Sequence, residues 1–340
     1  MRIAFLASHE TGNGFYRGVA PMAALEARGH RVIRLGTDER DVPVGAVRDV
    51  DVLHIHRFCD ARALALARAA AAAGAVVVWD NDDDTGSLPR GSTLHRRFGG
   101  IQWERRRAAM GRLFRVVDLV TAPSATLAAR LGDVGARRTA VIENYVPEAF
   151  LRRSGRPHRH VVIGWTAGLE HQLDVERIPI RETLQRLLDD CPDVAVHTFG
   201  LKLGLRSDRC SNTDVVPLME LTEAASAFDV GIAPIADIPL NQARSSVKVK
   251  EYAAAGVPWL ASPIGPYAGL GEKQGGRLVA DDRWYEELRR LVDRARERRK
   301  LQKRAVKWIA GETLERNAHR WEELLADAVA RAARERGAPA

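Results

Sequence analysis

Short apolar runs alternate with helical patterns from residue 1 to about residue 146. The runs are apolar on both faces, which is typical of parallel strands buried between two layers of helices. The alternation therefore predicts a doubly wound α/β domain. Its predicted strands are 3–7, 31–35, 52–56, 75–79, 118–122 and 139–143, and its predicted helices are 16–28, 61–73, 101–116 and 126–131.

The pattern breaks at 147–160, a basic, proline-containing stretch that we interpret as a linker. A second alternation begins at Val161 and predicts a second domain of the same class. We expect strands from 161 and at 195–199, 215–216, 228–235, 259–261 and 277–280, and helices from 174 and at 180–188, 221–227, 245–255, 282–299 and 301–333. The length of 340 residues suits two domains, which we place at 1–150 and 151–310.

No apolar run reaches the roughly 18 residues that cross a membrane. Residues 1–8 predict a strand rather than a secretion signal, because polar residues follow at once and no cleavage site appears. Cys59, Cys191 and Cys210 lack the spacing of a metal or redox motif, which fits a reducing compartment. We expect a cytoplasmic protein.

The formal net charge is +8. An anionic partner would explain it, and so would a genome whose base composition favours arginine and alanine codons. Basic residues cluster at 105–115, 152–160 and 294–304, but aromatic residues are not interleaved as in single-strand binders, and no nucleic-acid-binding motif appears.

The start of the helix expected near 245–255 carries an unusual amount of positive charge. Arg244, Lys248 and Lys250 crowd an end that Ser245 and Ser246 can cap. Because a helix N-terminus is itself partly positive, each cation there costs up to about 1 kcal/mol. A bound phosphate or diphosphate would reverse that cost, so the pattern indicates an anion site.

Lys248 and Glu251 are three residues apart and share a helix face. A carboxylate cannot bind phosphate, but it accepts hydrogen bonds from sugar hydroxyls, and a nucleotide contains both groups. The alternative is an ordinary surface ion pair, which contributes little.

The segment ARSSVKVKEYAAAGVPWLAS, residues 243–262, resembles the nucleotide-sugar signature of the GT-B glycosyltransferases, in particular the retaining family 4, also called glycosyl transferases group 1. The resemblance implies two Rossmann-like doubly wound domains facing across a cleft. The second would bind a nucleoside-diphosphate sugar and the first an acceptor, with a final helical segment, 311–340, crossing back to the first domain. It also implies retention of anomeric configuration, with no metal and no other cofactor.

By position, the resemblance implies that Glu251 binds the ribose of the donor, while Lys248 and Arg244 bind its diphosphate. The glutamate that the family carries eight residues earlier is Ala243 here. We expect Ser245 and Ser246 to complete this side of the donor site.

The loop after the first strand of the second domain, GWTAGLEHQLD, also resembles the family's donor loop. Its candidates for contact with the phosphates or the transferred sugar are Gly168 and His171. Arginine and lysine, common in such loops, are missing, so Arg244 and Lys248 would carry the diphosphate. A histidine at a helix start is also an ordinary structural residue.

The loop after the first strand of the chain, SHETGNGFYRGVAP, is the expected acceptor loop, and its opening resembles that of sugar transferases of this group. Polar loop residues without a role are the alternative. A dinucleotide site is not favoured, because GxGxxG would need a small residue at position 17. The acceptor candidates are His9, Glu10, Gly12, Asn13, Gly14, Tyr16 and Arg17.

Four aspartates, Asp80 and Asp82 to Asp84, follow a predicted strand. Such a cluster can bind a divalent metal, but the resemblance to GT-B proteins argues against a donor-bound metal here. We expect like-charge crowding to raise the pKa of one carboxyl, with Asp82 or Asp83 as a candidate base or acceptor contact.

Two other functions stay open. A nucleotide-sugar epimerase of GT-B fold would convert the donor without an acceptor, and a basic nucleic-acid-binding or modifying protein would explain the charge. The acceptor is a small molecule, a glycan, a lipid or a nucleic acid, and peripheral contact with a membrane surface is compatible with the sequence.

Overall fold

The computed structural model describes residues 1–7, 12–36, 38, 41–152, 159–214 and 216–337. Their contacts divide the chain into two compact units. The first unit contains Met1–Tyr145, Ala243–Ser245 and Leu314–Ala340, and the second contains Val146–Gln242 and Ser246–Thr313.

The first unit has a six-stranded parallel sheet with the strand order β2-β1-β3-β4-β5-β6. Every residue of β3 and β4 is buried, and both strands are mainly apolar in sequence, with His54, His56 and Asp80 as the polar exceptions. The strands are β1 Arg2–Leu6, β2 Arg31–Arg34, β3 Val52–His56, β4 Val76–Asp80, β5 Leu119–Ala122 and β6 Thr139–Val141.

Helices connect these strands. Asp60 and Ser124 cap two of them by accepting hydrogen bonds from backbone N–H groups of the first turn. A π-helical segment, Phe15–Val19, joins the first two helices into one continuous stretch. The helices are α1 Gly12–Gly14, α2 Ala20–Ala27, α3 Ala61–Ala72, α4 Thr93–Phe98, α5 Ile101–Leu113 and α6 Ala125–Val134.

The second unit has its own six-stranded parallel sheet, in the order β12-β11-β10-β7-β8-β9. Its strands are β7 Val161–Ala167, β8 Val194–Gly200, β9 Cys210–Thr213, β10 Val230–Ala233, β11 Trp259–Ala261 and β12 Gly276–Leu278. Its helices are α7 Gln172–Val175, α8 Ile180–Asp190, α9 Leu221–Ala225, α10 Pro239–Gln242, α11 Val247–Ala254, α12 Trp284–Asp293 and α13 Ala295–Ile309. The last helix, α14 Leu314–Glu335, belongs to the first unit.

The prediction of two doubly wound domains is confirmed. The strand expected near 215–216 is instead β9, with Val215 outside the described residues. The helix expected at 282–299 ends at Asp293, because Arg294 leaves the helical region with φ −114° and ψ 71°. Gly256 follows α11 with φ +73°, a left-handed conformation in which glycine ends the helix.

None of the described helices combines the length and the hydrophobicity that crossing a bilayer requires.

Candidate functional site

The second sheet reverses its direction of winding between β7 and β10, which are neighbours although two strands separate them in sequence. In doubly wound sheets, ligands bind at the carboxyl ends of the strands at this switch point. The segments that leave these two ends are 168–175 after β7 and 234–247 after β10. Both contain residues that the sequence marked as donor candidates.

His171 and Asp174 form a buried pair at the end of β7. The carboxylate accepts from His171 Nδ1 at 2.7 Å, and the imidazole edge meets the ring of Trp165 at 5.6 Å between centroids. The other carboxylate oxygen accepts from Ala236 N at 2.9 Å and from Asn241 Nδ2 at 2.7 Å. Asp174 therefore connects the two segments of the switch point and fixes the orientation of His171.

Lys248 and Glu251 lie on α11, with Lys248 Nζ 3.6 Å from Glu251 Oε2 and both side chains largely buried. Because α11 connects the parallel strands β10 and β11, its first turn lies near their carboxyl ends. The Tyr252 hydroxyl holds the helix on the sheet by donating to Ile232 O at 2.8 Å and accepting from Thr166 N at 2.9 Å. Burial raises the pKa of Tyr252, so this hydroxyl stays protonated.

The residues just before α11 have other contacts. Ser246 occupies the N-cap position without a side-chain cap hydrogen bond, and Ser245 Oγ accepts from Asn144 Nδ2 at 3.1 Å. The Ala243 carbonyl accepts from a serine of the first unit, and Arg244 Nε is buried without a hydrogen-bond partner among the described residues. Arg244 and Ser245 thus belong to the first unit, and His171, Lys248 and Glu251 to the second.

Gly168 lies between β7 and the turn that carries His171. A Cβ at this position would come within 2.2 Å of the Glu170 carboxylate, the end of a flexible side chain. That end can move, so the contact does not by itself require glycine; the Glu170 carboxylate lies 3.8 Å from His171 Nε2.

In the first unit, Arg17 is completely buried and forms a bidentate ion pair with Asp80, with Nη2 to Oδ2 at 2.7 Å. Its Nη1 donates to Asn144 Oδ1 at 3.0 Å, and its guanidinium lies 5.2 Å from the Trp321 ring centre. Burial alone would raise the pKa of Asp80, but Arg17 outweighs it and holds that pKa below its usual range. Arg17, an acceptor candidate in the sequence, is therefore part of a buried network.

Asp82 and Asp83 share one partner, Arg57, which follows β3 with a left-handed φ of +69°. Arg57 Nε donates to Asp82 at 2.7 Å, and Asn13 Nδ2 donates to Asp83 at 3.0 Å. Burial favours the neutral form of Asp82, but Arg57 outweighs it and lowers its pKa. The expectation that crowding raises a pKa here is wrong for Asp82, because an arginine from another strand end lies between the carboxylates.

The remaining acceptor candidates lie around α1. His9 and Glu10 are outside the described residues. Gly12 and Gly14 are the ends of α1, and Tyr16 is buried with its ring edge-on to Phe15 at 5.4 Å. Within the described ranges, no group of three or more histidine, cysteine, aspartate or glutamate side chains is arranged to hold a metal ion.

Two six-stranded parallel sheets with flanking helices, one in each unit, define the GT-B class of α/β fold, as the sequence predicts. No family model and no curated sequence matches the chain.

Solved structures do match over nearly the whole length. Alr3699/HepE of Anabaena, solved with UDP and glucose, has 15% identity and a TM-score of 0.68, with 96% of this chain and 100% of that chain covered. Sucrose-phosphate synthase from Thermosynechococcus elongatus has 14% identity and a TM-score of 0.69, with 97% and 99% covered. A Listeria monocytogenes protein named as a UDP-N-acetylglucosamine 2-epimerase has 12% identity and a TM-score of 0.57, with 93% and 94% covered. At these identities the likeness shows the fold.

Sequence reasoning missed Asp174, Asn241 and Arg57 as members of these clusters. For Asp174 a signal existed, since a carboxylate three residues after a histidine at a helix start shares its face. Asn241 and Arg57 gave no signal, because their partners are distant in sequence and meet them only through the strand order.

Proposed function

We propose that the chain is a glycosyltransferase that moves a sugar from a nucleoside-diphosphate sugar to an acceptor, with the donor bound at the switch point of the second sheet. The observation that carries the proposal is the Lys248–Glu251 pair at the start of α11, near the strand ends where His171 is held by Asp174. Alr3699/HepE, which has the same fold, was solved with UDP and glucose, and this supports a nucleotide-sugar donor.

Cleavage of the sugar–phosphate bond places negative charge on the leaving diphosphate. Lys248 and the backbone N–H groups of the first turn of α11 would stabilise that charge. Preorganised stabilisation of this kind is usually the largest single contribution to catalysis. Because Lys248 is largely buried, its charge is screened less by water than that of a surface lysine.

Glu251 is 5% exposed and would accept hydrogen bonds from the ribose hydroxyls of the donor. His171 would contact the phosphates or the transferred sugar through Nε2, because its Nδ1 is bound to Asp174. The resemblance of residues 243–262 favours Arg244, on the segment that leads into α11, as a further cation for the diphosphate.

We further propose a retaining reaction that needs no metal. The support for retention is the resemblance of residues 243–262 to the retaining family. The support for a reaction without a metal is that Lys248 and Arg244 would neutralise the diphosphate in place of a metal ion. Nuclear magnetic resonance of the product would give the anomeric configuration, and full activity after chelation of divalent cations is the expected result.

The proposal is tested by Lys248→Ala, which we expect to reduce turnover of the sugar donor by on the order of 100-fold through loss of one stabilising cation. The measurement is release of nucleoside diphosphate from a panel of nucleotide sugars. Lys202→Ala is the matched control, since Lys202 is exposed and pairs with Asp214 at 3.1 Å. Equal turnover in the two variants would contradict the proposal.

An epimerase is the second candidate, favoured by the similarity in fold to the Listeria protein. Incubation with nucleotide sugars and no acceptor distinguishes the two. Isomerised nucleotide sugar as the product would favour the epimerase, and free sugar with nucleoside diphosphate would favour the transferase.

A further inference from the structure

Most of the net charge of the chain is concentrated in one segment. Residues 90–115 contain eight arginines and one glutamate, a net charge of +7, whereas the whole chain has +8. The rest of the sequence is therefore nearly neutral. A base composition that favours arginine acts along the whole chain and does not explain why the excess lies on α4, α5 and the residues beside them.

Two large hydrophobic side chains are exposed in the middle of this segment. Phe98 ends α4 with 43% exposure, and Ile101 begins α5 with 65% exposure. Only Gly99 and Gly100 separate them, so the two side chains flank one tight turn. The other large hydrophobic residues exposed in the described part of the chain are Val141, Met219 and Val306, which are scattered.

The outer face of α5 is basic. Ile101, Arg105, Ala108 and Arg112 follow one another at intervals of four, three and four residues, and all four are exposed. The opposite face carries the buried Met110, so α5 packs on the first unit by that side.

Several exposed arginines of α4 and α5 have no acidic partner in the part of the chain that the structure describes. In the described residues, Arg97, Arg105 and Arg112 have no carboxylate within ion-pair distance, while Arg107 pairs with Glu104 at 3.1 Å. The Arg97 guanidinium lies 5.0 Å from the Phe98 ring centre, which places a cation directly beside an exposed aromatic ring.

We propose that this surface, formed by α4, the Gly99–Gly100 turn and the outer face of α5, binds an anionic lipid bilayer. Phe98 and Ile101 enter the interface, and Arg97, Arg105 and Arg112 contact the anionic headgroups. Each arginine near such a surface strengthens binding about five-fold, and apolar side chains add to the affinity by leaving water. Nucleic acid would attract the same arginines, but the aliphatic Ile101 gains nothing from phosphates or stacked bases.

The test is co-sedimentation of the full chain with vesicles of phosphatidylcholine containing a minority of phosphatidylglycerol, and with vesicles of phosphatidylcholine alone. We expect binding to the anionic vesicles, weakening with salt, and none to the neutral ones. Arg105→Glu with Arg112→Glu should weaken binding at least about ten-fold, and Phe98→Ser with Ile101→Ser several-fold. All four side chains are exposed, so the melting temperature should not change.

The matched control is Arg299→Glu with Lys303→Glu, which makes the same charge change at exposed positions of α13. Equal losses in this control would show unspecific attraction and overturn the proposal. Absence of binding to anionic vesicles would also overturn it. So would binding to nucleic acid but not to vesicles, if Phe98→Ser with Ile101→Ser leaves that binding unchanged. No sugar donor is present, so the outcome is independent of the proposed transferase activity.

Discussion

Asp174 accepts hydrogen bonds on both carboxylate oxygens, one from His171 and the other from Ala236 N and Asn241 Nδ2. With the carboxylate as acceptor, Nδ1 of the imidazole carries a proton and Nε2 is the atom that remains for a ligand. One buried side chain thus sets both the tautomer of His171 and the distance between two loops.

Asp174→Asn should lower turnover of the nucleotide sugar by on the order of 100-fold, because a misplaced His171 no longer meets its target. Asp237→Asn, an exposed change in the segment after β10, is the control. An Asp174→Asn variant with the parent's turnover would show that the pair is only structural.

At the scale of single residues, the sequence could indicate chemical type but not partners. Lys248 stands out because a cation at a helix start is unfavourable on its own, whereas Glu251 and His171 are indicated by the family resemblance of their segments. Arg17 also stood out as a loop residue, yet it is buried against Asp80, a partner 63 residues away. Local patterns contain no information about such a partner.

At the scale of elements, α11 is held against β10 because Gly231 has no side chain. A Cβ there would lie 2.6 Å from the Tyr252 ring, and that ring is fixed by the hydrogen bonds of its hydroxyl. The close contact sets the position of the helix that carries Lys248 and Glu251.

Gly231→Ala should therefore destabilise the protein by about 1–3 kcal/mol, because overpacking a buried contact forces the helix outward. Urea unfolding measures this change. Gly132→Ala, in the exposed interior of α6 with no atom within 4 Å of the new Cβ, should instead stabilise by up to about 1 kcal/mol. A Gly231→Ala variant as stable as the parent would mean that the Tyr252 ring leaves room for a Cβ at position 231.

Elements with both faces buried were predictable and polar ones were not. β11 was predicted with the bounds Trp259–Ala261 that the structure shows. β9, with the sequence CSNT, lies at the edge of the sheet and pairs with β8 alone. An edge strand is less buried than a central one, so its sequence need not be an apolar run. The break at Arg294 has no proline or glycine to mark it.

At the scale of the whole molecule, the first unit buries an ionisable group that should make stability depend on pH. His54 in β3 is fully buried against Trp321, and neither ring nitrogen has a hydrogen-bond partner among the described residues. Burial lowers the pKa of His54 from 6.5 to about 4; Asp80 opposes this shift, and His56 and Arg17 add to it.

As the pH falls below 6.5, His54 becomes protonated in the unfolded chain but stays neutral in the folded one. The free energy of unfolding therefore decreases as the pH falls from 6.5 towards 4. The loss at this site should be on the order of 3 kcal/mol. His54→Phe removes the titrating group and should flatten the unfolding free energy over this range, as followed by tryptophan fluorescence in urea. Parallel pH profiles for parent and variant would contradict this account.

The GT-B fold could be predicted from the sequence because its evidence is repeated many times, in two series of alternating strands and helices. The residues that form each site could not be predicted in the same way, because they depend on which strands are neighbours. Asp174, which follows β7, and Ala236, which follows β10, are 62 residues apart in sequence, yet they belong to one hydrogen-bonded cluster.

A donor site at the switch point of the second sheet is tested most simply by thermal unfolding. The parent, Lys248→Ala and Glu251→Gln are each unfolded with a panel of nucleoside diphosphates and their sugars. A ligand at a hundredfold its dissociation constant stabilises by about 2.7 kcal/mol, which raises the melting temperature by several degrees. We predict such a shift for nucleotides of one base with the parent, and its loss in both variants. A shift that both variants keep, or no shift with any nucleotide, would contradict a donor site at the switch point of the second sheet.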